Sequence, residues 1–207
     1  RKGNFDGLNL DAAGVQYKDG AIVVDQALRT TNKRVYAIGD AVGGLRFTHV
    51  ANYHAGLVIR NALFRLPVKA DNRFLPWVTF TDPELAHVGL TEDEARKAGR
   101  PICILRWPFH ENDRAQAERA TRGHIKVVTG KRGDILGATI VGRHAGELIT
   151  PWTLAIAQGL KIRAMAELVI PYPTFSEVGK RAATTYFTPR LASPLVRRAI
   201  KWLRRFG

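Results

Sequence analysis

The run Val35-Tyr36-Ala37-Ile38-Gly39-Asp40 ends an apolar stretch on a glycine and one carboxylate. Beta-branched and aromatic residues bounded by turn formers predict a short buried strand, and Gly39 lets the backbone turn where the strand emerges. Asp40 is then expected at a strand end, where open α/β sheets bind ligands; a carboxylate that only accepts hydrogen bonds suits a sugar or ribityl hydroxyl there. A plain strand-to-turn aspartate is the alternative. Other reactive side chains are sparse. Cys103 is the one cysteine, so no internal dithiol can form, and its apolar surroundings predict an inert core thiol rather than a nucleophile. His87, His110, His124 and His144 lack the i, i+4 or Cys-His spacing of a metal site, and no metal is expected.

These residues need elements to hold them. Residues 1 to 70 carry polar punctuation, a strand pair around Val23 and Val35, and a helix from near Thr48 to about Phe64. In that helix Leu57, Val58, Ala62 and Leu63 recur at roughly helical spacing, and Pro67 ends it. From 71 to 207 the pattern is α+β. Residues 74–90 read as a strand segment, and Thr91-Glu92-Asp93-Glu94 as a helix start with a capping box. Strands are expected at 102–107, 125–129 and 135–141, the last two joined by the hairpin loop Gly130-Lys131-Arg132-Gly133-Asp134. Apolar helices follow at 145–159 and 162–169. Two such helices beside a small antiparallel sheet suit a domain that also buries a partner's face.

Composition bounds the class. With 207 residues and 45% hydrophobic content the chain can bury one sizeable core or two modest ones. Glu147 and Pro151 interrupt the longest apolar region, 145–160, short of the ~20 residues a span requires. A single cysteine and no apolar run after Arg1-Lys2 fit a cytoplasmic protein. The formal net charge is +14, and Arg197, Arg198, Lys201, Arg204 and Arg205 fall in the last segment without an acid. On a helix of about 194–207, capped by Ser193 with Pro194 at its first position, those charges gather opposite Leu195, Val196, Ala199, Ile200, Leu203 and Phe206. Such a tail either lies on an anionic membrane surface or packs on its own domain with its bases solvated. Basicity alone would suit nucleic acid, but no recognition motif accompanies it, and nucleic acid is not expected.

Three motifs carry a resemblance. Gly20-Ala21-Ile22-Val23-Val24-Asp25, then Arg29-Thr30 and the run from Tyr36 to Gly44, are similar to the second flavin-binding segment of the pyridine nucleotide-disulfide oxidoreductases, which include dihydrolipoamide dehydrogenase, glutathione reductase and mercuric reductase. The stretch from Pro76 to Glu92 resembles the opening of that family's C-terminal dimerisation domain, and Tyr172-Pro173-Thr174-Phe175-Ser176-Glu177 its His-Pro-Thr-x-x-Glu active-site motif. The resemblance implies FAD and NAD(P)H as cofactors and a homodimer. It implies that Gly39 and Asp40 belong to the flavin site, and that the helix after Thr48 aims its N-terminus at the flavin pyrimidine ring, with Ala51 closest and His49 just before it. A helix start offers N–H groups and partial positive charge, which suit negative charge on a reduced flavin. His49 as a cap or packing histidine is the alternative. The segment Gly142-Arg143-His144-Ala145-Gly146-Glu147 looks like a phosphate loop, but the family uses this place for domain packing, and no ligand is assigned to it.

Some family features are missing. There is no GxGxxG after an N-terminal strand, no redox-active cysteine pair and no glycine-rich nicotinamide loop, so the chain reads as the C-terminal part of a longer flavoenzyme, inactive alone. In the family the histidine and glutamate form a proton-transferring dyad that reaches the other subunit's flavin site. Here Tyr172 replaces the histidine; with a pKa near ~10 it is a poor general base at neutral pH and mainly a hydrogen-bond donor. Glu177 keeps its place without an imidazole to orient. The mercuric-reductase-like branch shares the tyrosine, although the terminal cysteine pair of those enzymes is absent here, and the electron acceptor stays open. The expectation is therefore an α+β dimerisation domain supplying Tyr172 and Glu177, preceded by the returning FAD-binding segment of an α/β domain. A catalytically silent dimerisation module and a basic membrane-surface or nucleic-acid-binding module are the alternatives.

Overall fold

A computed structural model describes residues 3–191 and 193–206. The chain divides into two compact units, Arg1–Asn72 and Arg73–Gly207.

In the first unit β1 (Tyr17–Lys18) and β2 (Ala21–Ile22) form an antiparallel hairpin. Asp19 and Gly20 turn it with both φ angles positive, as a tight two-residue hairpin loop requires. Val15, Ile22 and Ala37 make a small core with Phe5, Leu10, Val24 and Val35 against it. The strand expected at 35–38 is not formed. That stretch runs beside residues 28–30 through the single bridge Arg29↔Tyr36 and two flanking backbone hydrogen bonds, too few partners for a ladder. Asp40 accordingly lies not at a strand end but in a one-turn 3-10 helix, Gly39–Val42.

Helix α1 (Thr48–Ala62) follows, burying Val50, His54, Leu57 and Asn61. Their spacing of four, three and four residues draws one stripe along a helix. Its two polar members have partners: Asn61 Nδ2 donates to Val68 O at 3.0 Å, and His54 accepts from Gly39 N–H at 3.2 Å. Leu63 and Phe64 lie beyond the helix end and are exposed.

The second unit is a five-stranded antiparallel sheet with helices. Residues 74–90, expected as one strand, form two: β3 (Trp77–Thr79) and β4 (Glu84–Gly89), with Pro83 in the turn between them. Helix α2 (Glu92–Lys97) has the expected capping box, Thr91 Oγ1 accepting from Glu94 N–H and the Glu94 carboxylate from Thr91 N–H. Then come β5 (Ile102–Pro108), α3 (Asp113–Ala117), β6 (His124–Gly130) and β7 (Ile135–Gly142). The sheet order is β3-β4-β7-β6-β5. Alternation on the pleat sends Ile125 and Val127 of β6 and Ala138 and Ile140 of β7 inward, all of them fully or almost fully buried.

Helices α4 (Ala145–Leu148), α5 (Thr150–Ala157) and α6 (Ile162–Glu167) follow, so the expected helix at 145–159 is divided at Ile149, just ahead of Pro151, whose ring cannot donate to the turn before it. Helix α7 (Glu177–Thr185) packs on β5 and β6, while α5 packs on β4 and β7. Between helices and sheet Trp152, Ile162, Val178 and Ala182 close the core. Short α8 (Thr188–Leu191) leads to α9 (Pro194–Leu203), which Ser193 caps through Val196 N–H with Pro194 in the first turn, as expected. Nothing in α9 is buried, so the tail does not pack into its own domain. Cys103 is half-buried in β5 rather than in the core. Among the described residues no helix is long and apolar enough to cross a membrane, and no group of three or more His, Cys, Asp or Glu residues could hold a metal ion.

Candidate functional site

In the first unit the turn carrying Gly39 and Asp40 lies against the start of α1. Gly39 has φ +58°, and a Cβ placed on it would meet Ala51 Cβ at 2.7 Å, so the position admits only glycine without displacing the helix. The Gly39 N–H is held by Nδ1 of His54, a residue that sequence reasoning missed. As acceptor, Nδ1 must be unprotonated, and burial keeps the imidazole pKa below its ordinary value, favouring that state. Gly39, Asp40 and Ala51 are thereby gathered in one place. His49 is exposed and stacks on Phe47 with ring centroids 5.3 Å apart. The first turn of α1 contains no acid, and Phe47 at the cap offers no side-chain acceptor. Arg46, one residue earlier, has its Nε buried without a hydrogen-bond partner.

In the second unit Tyr172 is 70% exposed on the loop between α6 and α7, and Glu177 opens α7, half-buried. The tyrosine hydroxyl does not bond Glu177. It donates to Asp113 Oδ2 at 2.7 Å, 59 residues away. That hydrogen bond, then the Asp113 charge, raises the phenol pKa above its ordinary value, and the Glu177 charge adds a smaller push in the same direction. Tyr172 is thus held protonated, its one O–H given to Asp113 and its oxygen left free to accept, and it is unfit as a base. Asp113 is a second residue that sequence reasoning missed, since only folding brings α3 beside this loop.

Asn112 makes the approach possible. Its Oδ1 caps α3 by accepting from Ala115 N–H at 2.9 Å, while its Nδ2 donates to Thr174 O at 3.0 Å. One buried side chain therefore fixes both the helix that carries Asp113 and the loop that carries Tyr172. Thr174 Oγ1 donates to Pro171 O, and Phe175 anchors the loop below against Phe109 and His144. The phosphate-loop look of 142–147 is occupied from within: Gly146 N–H donates to Glu84 Oε2 at 2.9 Å.

Comparison with known proteins follows the same division. The pyridine nucleotide-disulphide oxidoreductase dimerisation domain matches residues 75–183, and the pyridine nucleotide-disulphide oxidoreductase domain matches residues 1–55. The mercuric reductase of Staphylococcus aureus is 40% identical over 188 residues, 90% of this chain and 34% of that protein. The dihydrolipoyl dehydrogenase of Bacillus subtilis (strain 168) is 36% identical over 185 residues, 88% of this chain and 39% of that protein. LpdA from Mycobacterium tuberculosis superposes with a TM-score of 0.84 at 27% identity, over 89% of this chain and 40% of that one. The HOCl-induced flavoprotein disulfide reductase RclA of Escherichia coli, as its Cu(II) complex, gives 0.82 at 28% identity, over 89% and 43%. The chain spans between a third and two fifths of the length of these curated relatives.

Proposed function

The chain belongs to the pyridine nucleotide-disulphide oxidoreductase family through its dimerisation domain, and on that premise we propose that it forms part of an FAD-dependent, NAD(P)H-linked oxidoreductase, supplying one portion of the flavin site and the face on which two subunits meet. The first unit is then the end of the nicotinamide domain with the returning flavin segment, and the second the dimerisation domain. The single observation that carries the flavin assignment is the cradle at Gly39: a position where a Cβ would strike Ala51, with a carboxylate next to it and a helix start without acids beside it.

Bound FAD would relay electrons from NAD(P)H to an acceptor. Asp40 would accept a hydrogen bond from a ribityl or sugar hydroxyl. The start of α1, at Ala51 with His49 ahead of it, would set N–H groups and partial positive charge against the electron-rich edge of the ring system. Arg46 Nε is a buried donor lacking an acceptor, a cost of about 1–3 kcal/mol that an acceptor-bearing ligand would relieve. Tyr172, held protonated by Asp113, would serve the partner subunit's redox centre by accepting a hydrogen bond at its hydroxyl oxygen and not by proton abstraction, with Glu177 as a nearby negative charge. The lone thiol of Cys103 suits the reducing cytoplasm.

The test is Gly39→Ala in the flavoenzyme of which the chain forms part. A residue forced to φ near +58° carries about 1–3 kcal/mol of strain and here also a steric conflict, so flavin affinity should fall at least tenfold. Unchanged FAD retention on dialysis would overturn the assignment.

A further inference from the structure

Helix α9 contributes no residue to either site described above. Projected at 100° per residue, its apolar side chains from Leu195 onward, with Phe206, fill one arc of about 160°, and Arg197, Arg198, Lys201, Arg204 and Arg205 the facing arc of about 120°, in which Pro194 at the helix start is the one apolar residue. A face so segregated is usually one that is covered. Here it is bare: Leu195 is 76% exposed, Ile200 48%, Trp202 57%, Leu203 58% and Phe206 73%. Trp202 and Phe206 stack edge to face with centroids 5.0 Å apart, forming a continuous aromatic ridge.

Charge narrows what could cover it. From Val178 to Gly207 the chain has eight cations and no Asp or Glu. A second α9 paired across this face would bring five further cations and no acid to offset them. A nucleic acid would satisfy the cations and leave five large apolar side chains in water. An anionic lipid surface satisfies both, with headgroups against the guanidinium and ammonium groups and acyl chains against the apolar arc, while tryptophan takes the boundary between them. We propose that α9 is a peripheral membrane anchor that lies in the plane of an anionic bilayer surface.

Vesicle co-sedimentation of the 207-residue chain tests this. Vesicles of phosphatidylglycerol and phosphatidylcholine in a 3:7 ratio should bind the chain, and pure phosphatidylcholine should bind it far more weakly. The triple variant Arg197→Gln, Lys201→Gln, Arg204→Gln should lower the partition coefficient on the anionic vesicles by the order of 100-fold. Trp202→Ser with Leu203→Ser should also abolish binding at 0.5 M salt, where only the apolar contribution persists. Because nothing in α9 is buried, both variants should keep the parent circular dichroism. Failure of the parent chain to bind anionic vesicles would overturn the proposal. So would binding that the Trp202/Leu203 variant retains in full, which marks a general polyanion surface, or a change of oligomeric mass with no change in vesicle binding, which assigns the face to a second copy.

Discussion

Tyr172 and Asp113 define what the proposed catalytic loop can do. Tyr172→Phe removes one hydroxyl, so turnover of the flavoenzyme with its acceptor should fall by about one hydrogen bond, ~0.5–1.5 kcal/mol or about 2- to 13-fold. Parent-level turnover would reduce Tyr172 to packing. Asp113→Asn keeps the shape and removes the charge; the phenol pKa, read by ultraviolet difference titration, should move down toward its ordinary value. His54 sets a pH dependence. Its pKa is lowered in the fold, so below the unfolded value of ~6.5 the unfolded chain binds more protons than the folded one. Stability from the Gly39–His54 bond is therefore complete above about pH 6.5 and is lost as pH falls toward the folded pKa. Burial likewise lowers the pKa of His87, giving the same sign. An NMR titration of the His54 ring should give a midpoint below 6.5; a midpoint above it would contradict the buried acceptor geometry.

At the scale of elements, caps separate local from tertiary contributions. Thr91→Ala breaks a capping box on an exposed helix end and should cost about 1 kcal/mol in denaturant unfolding. Asn112 does two jobs, and its variants divide them. Asn112→Asp keeps the acceptor that caps α3 and loses the donor to Thr174, whereas Asn112→Ala loses both. The alanine variant should therefore be the less stable by about one cap, ~1 kcal/mol, and both should loosen the Tyr172 loop. Equal stability of the two would mean that the cap contributes nothing. The capping box and the hairpin at 130–134 were legible in the sequence because both are local chemistry. The strand at 35–38 was not, because a strand exists only with partners, and those residues meet one bridge where a ladder was expected.

For the whole molecule the exposed apolar side chains of the second unit matter most. Leu154, Leu160, Leu168 and Val169, the last 95% exposed, occupy 154–169 on the dimerisation domain. Interfaces of stable dimers bury about 1,600 Å² in total, with an apolar centre. The chain should therefore be a dimer by light scattering, and Leu154→Asp with Val169→Asp should shift it toward monomer without loss of helix content. A concentration-independent monomer mass for the parent chain would overturn this. The chain alone should also purify colourless and oxidise no NAD(P)H, since it spans only 34% of the mercuric reductase it resembles; stoichiometric bound flavin would refute that.

The sequence by itself determined the α+β class, the strands near 102–107, 125–129 and 135–141, the capping box at Thr91 and the family, because periodicity, turn residues and motif spacing are written in adjacent positions. It also placed the amphipathic tail helix, whose faces follow from residue order alone. Tertiary structure decided the partners. His54 drew no expectation from the sequence and gained its role only when folding buried it beside Gly39, and the buried stripe of α1 passed through polar Asn61, which no hydrophobic pattern would select. Asp113 reached Tyr172 across 59 residues, and the tail proved bare where packing on its own domain was the alternative. Contacts distant in sequence depend on which surfaces the packed core brings together, and no local pattern encodes that.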